Sequence, residues 1–147
     1  MYTTIQFIHS YWAYLTLFIV FVASFNAITS VLSKKEFQSK DFRLSLFALI
    51  FTHIQVVIGL ILLFLSPKGI PAVTDNGMGA VMKDANLRLF IVEHPLMMIL
   101  AVILITIGYS KHKKKHTSAK KFKSIAVFYS IALLLILSRI PWSQWFN

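Results

Sequence analysis

The sequence has no cysteine among its 147 residues. This absence excludes disulfide bonds, thiolate sites for zinc or iron–sulfur clusters, and a cysteine nucleophile. Acidic side chains are also scarce, since five Asp and Glu stand against 15 Lys and Arg and the net charge is +10. Charged residues of both signs make up only 14% of the chain, whereas about 25% is typical of a soluble domain. The composition therefore excludes a soluble globular protein.

Hydrophobic residues are abundant, at 57% of the sequence with a mean hydropathy of +0.72. A helix needs about 20 apolar residues to cross a bilayer. Four segments meet this requirement, at residues 5–32, 44–65, 87–109 and 125–142. The sequence thus predicts an all-α integral membrane protein, a single domain in which four helices form an up-down bundle.

The positions of the basic residues predict the orientation of this bundle. The first and third loops, which lie at the same end, hold eleven of the 15 Lys and Arg. Basic residues in short loops mark the cytoplasmic side of a membrane. We therefore expect an inner (cytoplasmic) membrane protein with both termini on the outer side. Because the charge lies between apolar runs, the expected partner is the lipid bilayer and not nucleic acid.

A lysine-rich tract occupies residues 111–123. Each basic residue near an anionic membrane surface contributes roughly 1 kcal/mol to binding, so the tract is expected to bind anionic lipid headgroups. His112 and His116 lie inside the tract and are interpreted as solvated, since charge runs are usually solvated.

The second loop, residues 66–86, is the longest connection. Prolines and glycines break it, and a short turn is expected at 80–84. Asn86 is a candidate N-cap for the third helix. A loop of this length is either a binding segment or a disordered connector, and the sequence leaves both readings open.

Ionisable groups inside membrane spans are costly and indicate function. They are His9, His53, Glu93, His94 and Arg139. His9 and His94 open the first and third helices, and both are expected in the outer half of the bilayer. These two helices are diagonal neighbours in an up-down bundle, and cofactor sites in bundles are built from facing helices.

Two histidines at one depth on diagonal helices can approach a flat macrocycle from opposite faces. Haem iron accepts axial imidazoles, so His9 and His94 are predicted to be the metal ligands of a haem b. Arg139 and Trp142, near the outer rim, are predicted to hold its propionates, since a guanidinium pairs with a carboxylate through two parallel hydrogen bonds.

Other interpretations remain open at this point. Both histidines could instead make interhelical hydrogen bonds, or His53, deeper in the second helix, could replace one of the ligands. Glu93 could handle protons, pair with Arg139 or be an interfacial charge. Pro95 removes one helical hydrogen bond and is expected to kink the third helix beside His94.

The order of these residues resembles one half of a haem A synthase bundle. The resemblance rests on His9-Ser10-Tyr11-Trp12, on Gln55-x-x-x-Gly59, on a proline-containing loop, and on His94 followed by Leu96-Met97-Met98. It implies a haem site at His9 and His94 on the outer side. Because the chain has only one such half, it is closer to a small b-type cytochrome. It also loosely resembles the four-helix, haem-carrying protoporphyrinogen oxidases.

The leading functional hypothesis is a haem b protein that transfers electrons near the periplasmic face, to or from a quinone or a periplasmic redox protein. The first alternative is an enzyme of haem metabolism, either haem A synthase-like or protoporphyrinogen oxidase-like. The second is a cofactor-free accessory subunit of a larger membrane complex.

Overall fold

The computed structural model describes residues 1–145, and every regular element among them is a helix. The elements are α1 (Tyr2–Ser33), α2 (Ser39–Leu65), α3 (Ile70–Asn76), α4 (Met78–Lys83), α5 (Ala85–Arg88), a π-helical turn (Leu89–Glu93), α6 (His94–Lys113), α7 (Ser118–Ser138) and α8 (Trp142–Trp145). Four segments are long and apolar enough to cross a membrane: α1, the stretch from α2 to α3, the stretch from α5 to α6, and α7. The predicted all-α architecture with four spans is confirmed.

The ends of the fourth span differ from the prediction of residues 125–142. The helix α7 begins at Ser118 and ends at Ser138. It begins earlier because the Thr117 side chain accepts a hydrogen bond from the Lys120 N–H and caps the first turn. It ends earlier because Pro141 disfavours the helical conformation at the residue before it.

The four long helices pack as a ring in which α1 contacts α2, α2 contacts α6, α6 contacts α7, and α7 contacts α1. The helices α1 and α6 therefore face each other diagonally. Small residues such as Ala23, Ala27, Ala48, Ala101 and Ala132 are buried at the centre, which allows the close helix approach that membrane bundles use.

The apolar surface faces outward. Within the most apolar window of each span, the share of residues buried inside the protein is 33%, 11%, 22% and 33% in chain order. Since large exposed apolar surfaces are unstable in water, the four helices require a lipid bilayer around them.

The loops α1–α2 and α6–α7 lie together at one end of the bundle, which we call the basic end. The Phe37 backbone N–H of the first loop donates to the Ser118 hydroxyl at the start of α7 over 2.8 Å. The Asp41 carboxylate, at the start of α2, accepts from the Gln38 N–H and from the Asn26 amide. The opposite end, which carries both termini, is called the terminal end.

The connection between α2 and α5 is folded over the terminal end, so it is not a disordered connector. Its two short helices, α3 and α4, bury Ala72 and Val81 against Ile91. The N-cap of α5 is Asp84, whose carboxylate accepts from the Asn86 and Leu87 N–H groups. The prediction of Asn86 as the N-cap was wrong because the helix begins at Ala85, one residue before Asn86.

Candidate functional site

A cavity of about 210 Å³ opens in the bundle at its terminal end. All four long helices contribute to its wall, and the connection after α2 adds Lys68 and Gly69. Its polar lining includes His9, Gln55 and His94, and its apolar lining includes Phe90 and Met98. The two histidines predicted to act together thus share one cavity.

The rings of His9 and His94 face each other across this cavity. Their centroids are 6.2 Å apart and their planes meet at 83°. The rings come from the diagonal helices α1 and α6, each near the terminal end. The helical rise of about 1.5 Å per residue puts each of them about 10–14 Å from the start of its span, which accounts for their similar depth.

His94 is oriented by the end of α7. Its Nδ1 donates to the Arg139 carbonyl oxygen over 2.8 Å. That carbonyl is free of a helical partner because α7 has ended at Ser138. A proton fixed on Nδ1 leaves Nε2 as the acceptor nitrogen, which is the usual arrangement of a histidine that binds a metal.

A π-helical turn, Leu89–Glu93, precedes His94 directly. Pro95 follows at the start of α6 and lacks the N–H that an α-helix would use there. The expected distortion at Pro95 is therefore present as a widened turn, and such turns are frequent at functional sites.

His9 is oriented by one face of α2. The Gln55 side-chain nitrogen lies 2.9 Å from the His9 carbonyl oxygen and 3.2 Å from His9 Nδ1. One turn further along, a Cβ at Gly59 would lie only 3.1 Å from the His9 ring. Gln55 and Gly59 together set the distance and the rotation of the imidazole relative to α2.

The Gln55 side-chain oxygen is buried and has no hydrogen-bond partner among the described residues. In this orientation the Gln55 side-chain nitrogen donates to His9 Nδ1, so the proton of the His9 imidazole lies on Nε2. For Nε2 of His9 to bind a metal, the proton must move to Nδ1 and the Gln55 amide must turn, so that its unpartnered oxygen accepts this proton.

The 6.2 Å between the two ring centroids is close to the separation of two imidazoles that bind one metal. A metal held at about 2.0–2.1 Å by one nitrogen of each ring separates the centroids by about 6.3 Å, because each centroid lies about 1.1 Å behind its nitrogen. The described residues form no group of three or more His, Cys, Asp or Glu that could hold a metal ion. A haem iron needs only two axial ligands from a protein, which is the number of imidazoles at this site.

The volume of the cavity fits a haem less well than the two histidines do. The cavity of about 210 Å³ is smaller than the roughly 300–1,000 Å³ of pockets for drug-sized ligands. Haem binding therefore requires the lining side chains to move outward.

The predicted propionate ligands, Arg139 and Trp142, are not among the residues that line the cavity. The Arg139 guanidinium donates to the Ser138 carbonyl oxygen over 2.8 Å, and the Trp142 indole donates to the Leu137 carbonyl oxygen over 3.0 Å. The chain after α7 lines the cavity through Ile140, Pro141, Gln144 and Trp145. Arg139 contributes its backbone carbonyl to the site, and the propionate role of its side chain stays a prediction.

His53 lies outside the cavity on an exposed part of α2. Its Nδ1 donates to the Leu49 carbonyl oxygen over 2.7 Å, and its Nε2 is 3.5 Å from the Thr106 hydroxyl of α6. The first contact lies within α2. The second is only a long approach between two neighbouring helices, because the Thr106 hydroxyl donates its hydrogen to the Val102 carbonyl oxygen over 2.7 Å. Glu93 pairs with Arg88 at 3.4 Å, not with Arg139, and both side chains are about one third exposed.

The interpretation of His112 as a solvated residue was wrong, because its side chain is fully buried, with 0% exposure. Its ring lies among Phe37, Phe42 and Tyr109, with centroids 5.0–5.9 Å away. The helical period of the sequence indicates this burial, since His112 follows Ile105 and Gly108 along the buried face of α6.

Comparison with protein-family models, with curated proteins and with solved structures finds no match. The fold and the cavity define a helical membrane protein with a paired-histidine site.

Proposed function

We propose that this protein is a membrane-embedded b-type haem protein that transfers electrons at the terminal end of its bundle. The proposal rests on one observation, the 6.2 Å separation of the His9 and His94 rings on diagonal helices within one cavity. His9 and His94 are the axial ligands. A haem b bound there supplies one-electron exchange between its ferric and ferrous states.

The chain's own residues determine how such a site behaves. The Arg139 carbonyl holds the His94 proton on Nδ1, and Gln55 serves His9 in the same way after its amide turns. Hydrogen bonds of this kind raise the basicity of a ligand histidine. The apolar walls at Phe90 and Met98 exclude water, which also sets the reduction potential.

The electron-transfer partner is proposed to be a quinone in the bilayer or a redox protein at the periplasmic face. The cavity lies at the terminal end, and its Trp145 packs on Tyr14 of α1 with ring centroids 4.6 Å apart. This placement supports exchange at that membrane surface.

Absorption spectroscopy tests the haem proposal. The protein is expressed with ample haem, purified in detergent, and measured oxidised and after dithionite reduction. We expect a Soret band and sharp α and β bands on reduction. These bands are lost or strongly altered in His9→Ala and His94→Ala, whereas the control His53→Ala keeps them because His53 lies outside the cavity. A folded wild-type protein without a Soret band contradicts the proposal.

We also propose that the basic end lies in the cytoplasm, with both termini on the periplasmic side of the inner membrane. The support is the concentration of eleven of the 15 basic residues at that end. The chain has no cysteine, so single cysteines report topology directly. In intact spheroplasts, a membrane-impermeant maleimide should label Ser143→Cys, and it should label Ser33→Cys only after lysis. The reverse pattern contradicts this orientation.

A further inference from the structure

The lysines of residues 111–123 do not form one uniform charged surface. Seven lysines lie in this tract. Two of them pack on aromatic rings away from the others: Lys113 over Tyr109 at 5.2 Å and Lys121 over Phe37 at 5.4 Å. The other five converge on a single groove.

This groove has a volume of about 600 Å³ and lies at the basic end, between the end of α6 and the start of α7. Its cationic lining consists of Lys111, Lys114, Lys115, Lys120, Lys123 and the neighbouring His116. The described lining contains no acidic residue. Like charges gathered in one groove raise the local potential and attract an anion.

The groove continues from its charged mouth onto an apolar wall formed by Val127 and Phe128. Val127 is 45% exposed and lies about 13 Å along α7 from its first residue, at the depth of acyl chains. The Lys111 ammonium lies 5.5 Å from the centre of the Phe128 ring, so a positive charge stands directly above the apolar wall.

We propose that this groove is a binding site for an anionic phospholipid, with the headgroup phosphate among the lysines and an acyl chain along Val127 and Phe128. The complementary charge selects the headgroup, and the adjoining apolar wall on a membrane-spanning helix selects a lipid over a soluble anion. Basic pockets at the cytoplasmic ends of membrane helices bind such headgroups. This site is independent of the haem site, which lies at the opposite end.

Native mass spectrometry tests the proposal on the full-length protein in micelles that contain equal amounts of phosphatidylglycerol and phosphatidylcholine. We expect the wild type to retain phosphatidylglycerol preferentially. The triple variant Lys114→Gln/Lys120→Gln/Lys123→Gln should lose this preference by at least tenfold, since each lysine near the lipid surface contributes about a fivefold factor. The matched control Lys34→Gln/Lys35→Gln/Lys40→Gln removes the same charge from the same end outside the groove and should keep the preference.

Two further measurements separate a lipid from a soluble anion. Val127→Gln should reduce retention of phosphatidylglycerol severalfold, because it places a polar group on the apolar wall. Millimolar inorganic phosphate should not displace the lipid. Equal loss of preference in both triple variants, no loss in the groove variant, or displacement by phosphate overturns the proposal. Circular dichroism of each variant establishes that it is folded.

Discussion

His94 Nδ1 donates to the backbone carbonyl oxygen of Arg139 over 2.8 Å, joining the start of α6 to the end of α7. The two residues are connected through the main chain of Arg139 and not through its charge. The guanidinium donates instead to the Ser138 carbonyl oxygen. The orientation of His94 and any contact of Arg139 with a propionate are therefore separable by substitution.

Arg139→Gln is expected to keep the spectrum of a haem with two histidine ligands, because the carbonyl that holds His94 is unchanged. If the guanidinium also binds a propionate, haem affinity falls by up to about fivefold, as for an exposed ion pair. Titration of the apoprotein with haem measures both the spectrum and the haem affinity. A loss of the low-spin spectrum in this variant contradicts the assignment of the carbonyl as the orienting group.

Gln55 is expected to act as a positioning residue for His9. Gln55→Leu removes the acceptor for the Nδ1 proton and should lower haem affinity about 10–100-fold. Gln55→Glu restores an acceptor and adds negative charge, which favours ferric iron, so the midpoint potential should be more negative than in the wild type. Potentiometric titration of both variants checks these directions, and an unchanged potential in Gln55→Glu contradicts this role.

Gly59→Ala is expected to displace the His9 ring, because the added Cβ would lie 3.1 Å from Cε1 of that ring. The haem spectrum should shift toward high-spin or show a weakened ligand. Gly79→Ala is the matched control, since a Cβ at Gly79 would meet nothing within 4 Å. Equal spectra in the two variants would show that α2 does not constrain His9.

The Tyr129 hydroxyl donates to the Ser45 carbonyl oxygen over 2.8 Å and links the diagonal helices α7 and α2. Tyr129 is fully buried. Tyr129→Phe should cost about 0.5–1.5 kcal/mol of stability, because it removes one buried hydrogen bond while the Ser45 carbonyl keeps its partner within α2. Thermal unfolding in detergent, followed by circular dichroism, measures the loss. Leu134→Ala, on the same helix and 66% exposed, keeps this hydrogen bond and tests whether the loss is specific to it.

The four membrane helices could be predicted from the sequence because apolar length and loop charge are local signals. The similar depth of His9 and His94 could also be predicted from the sequence, since an alternating bundle fixes the direction of each helix. The end of α7 at Ser138 was missed because the apolar run continues past it to Trp142, although Pro141 carried the signal.

Other features depend on contacts between elements, which no single segment encodes. The hydrogen bond between His94 and Arg139 joins residues 45 positions apart. The burial of His112 arises from the aromatic rings of the first loop and α2, and the lysines beside it in sequence concealed this. The packing of residues 66–84 depends on Ala72 and Val81, which pack against Ile91 from a later element.

The electron paramagnetic resonance spectrum of the oxidised, haem-loaded protein tests the central claim most directly. Two axial imidazoles with planes near the observed 83° predict one strongly anisotropic low-spin ferric signal that disappears in both His9→Ala and His94→Ala. A purified protein that takes up no haem, or a signal that survives either substitution, contradicts the assignment of these two histidines as ligands.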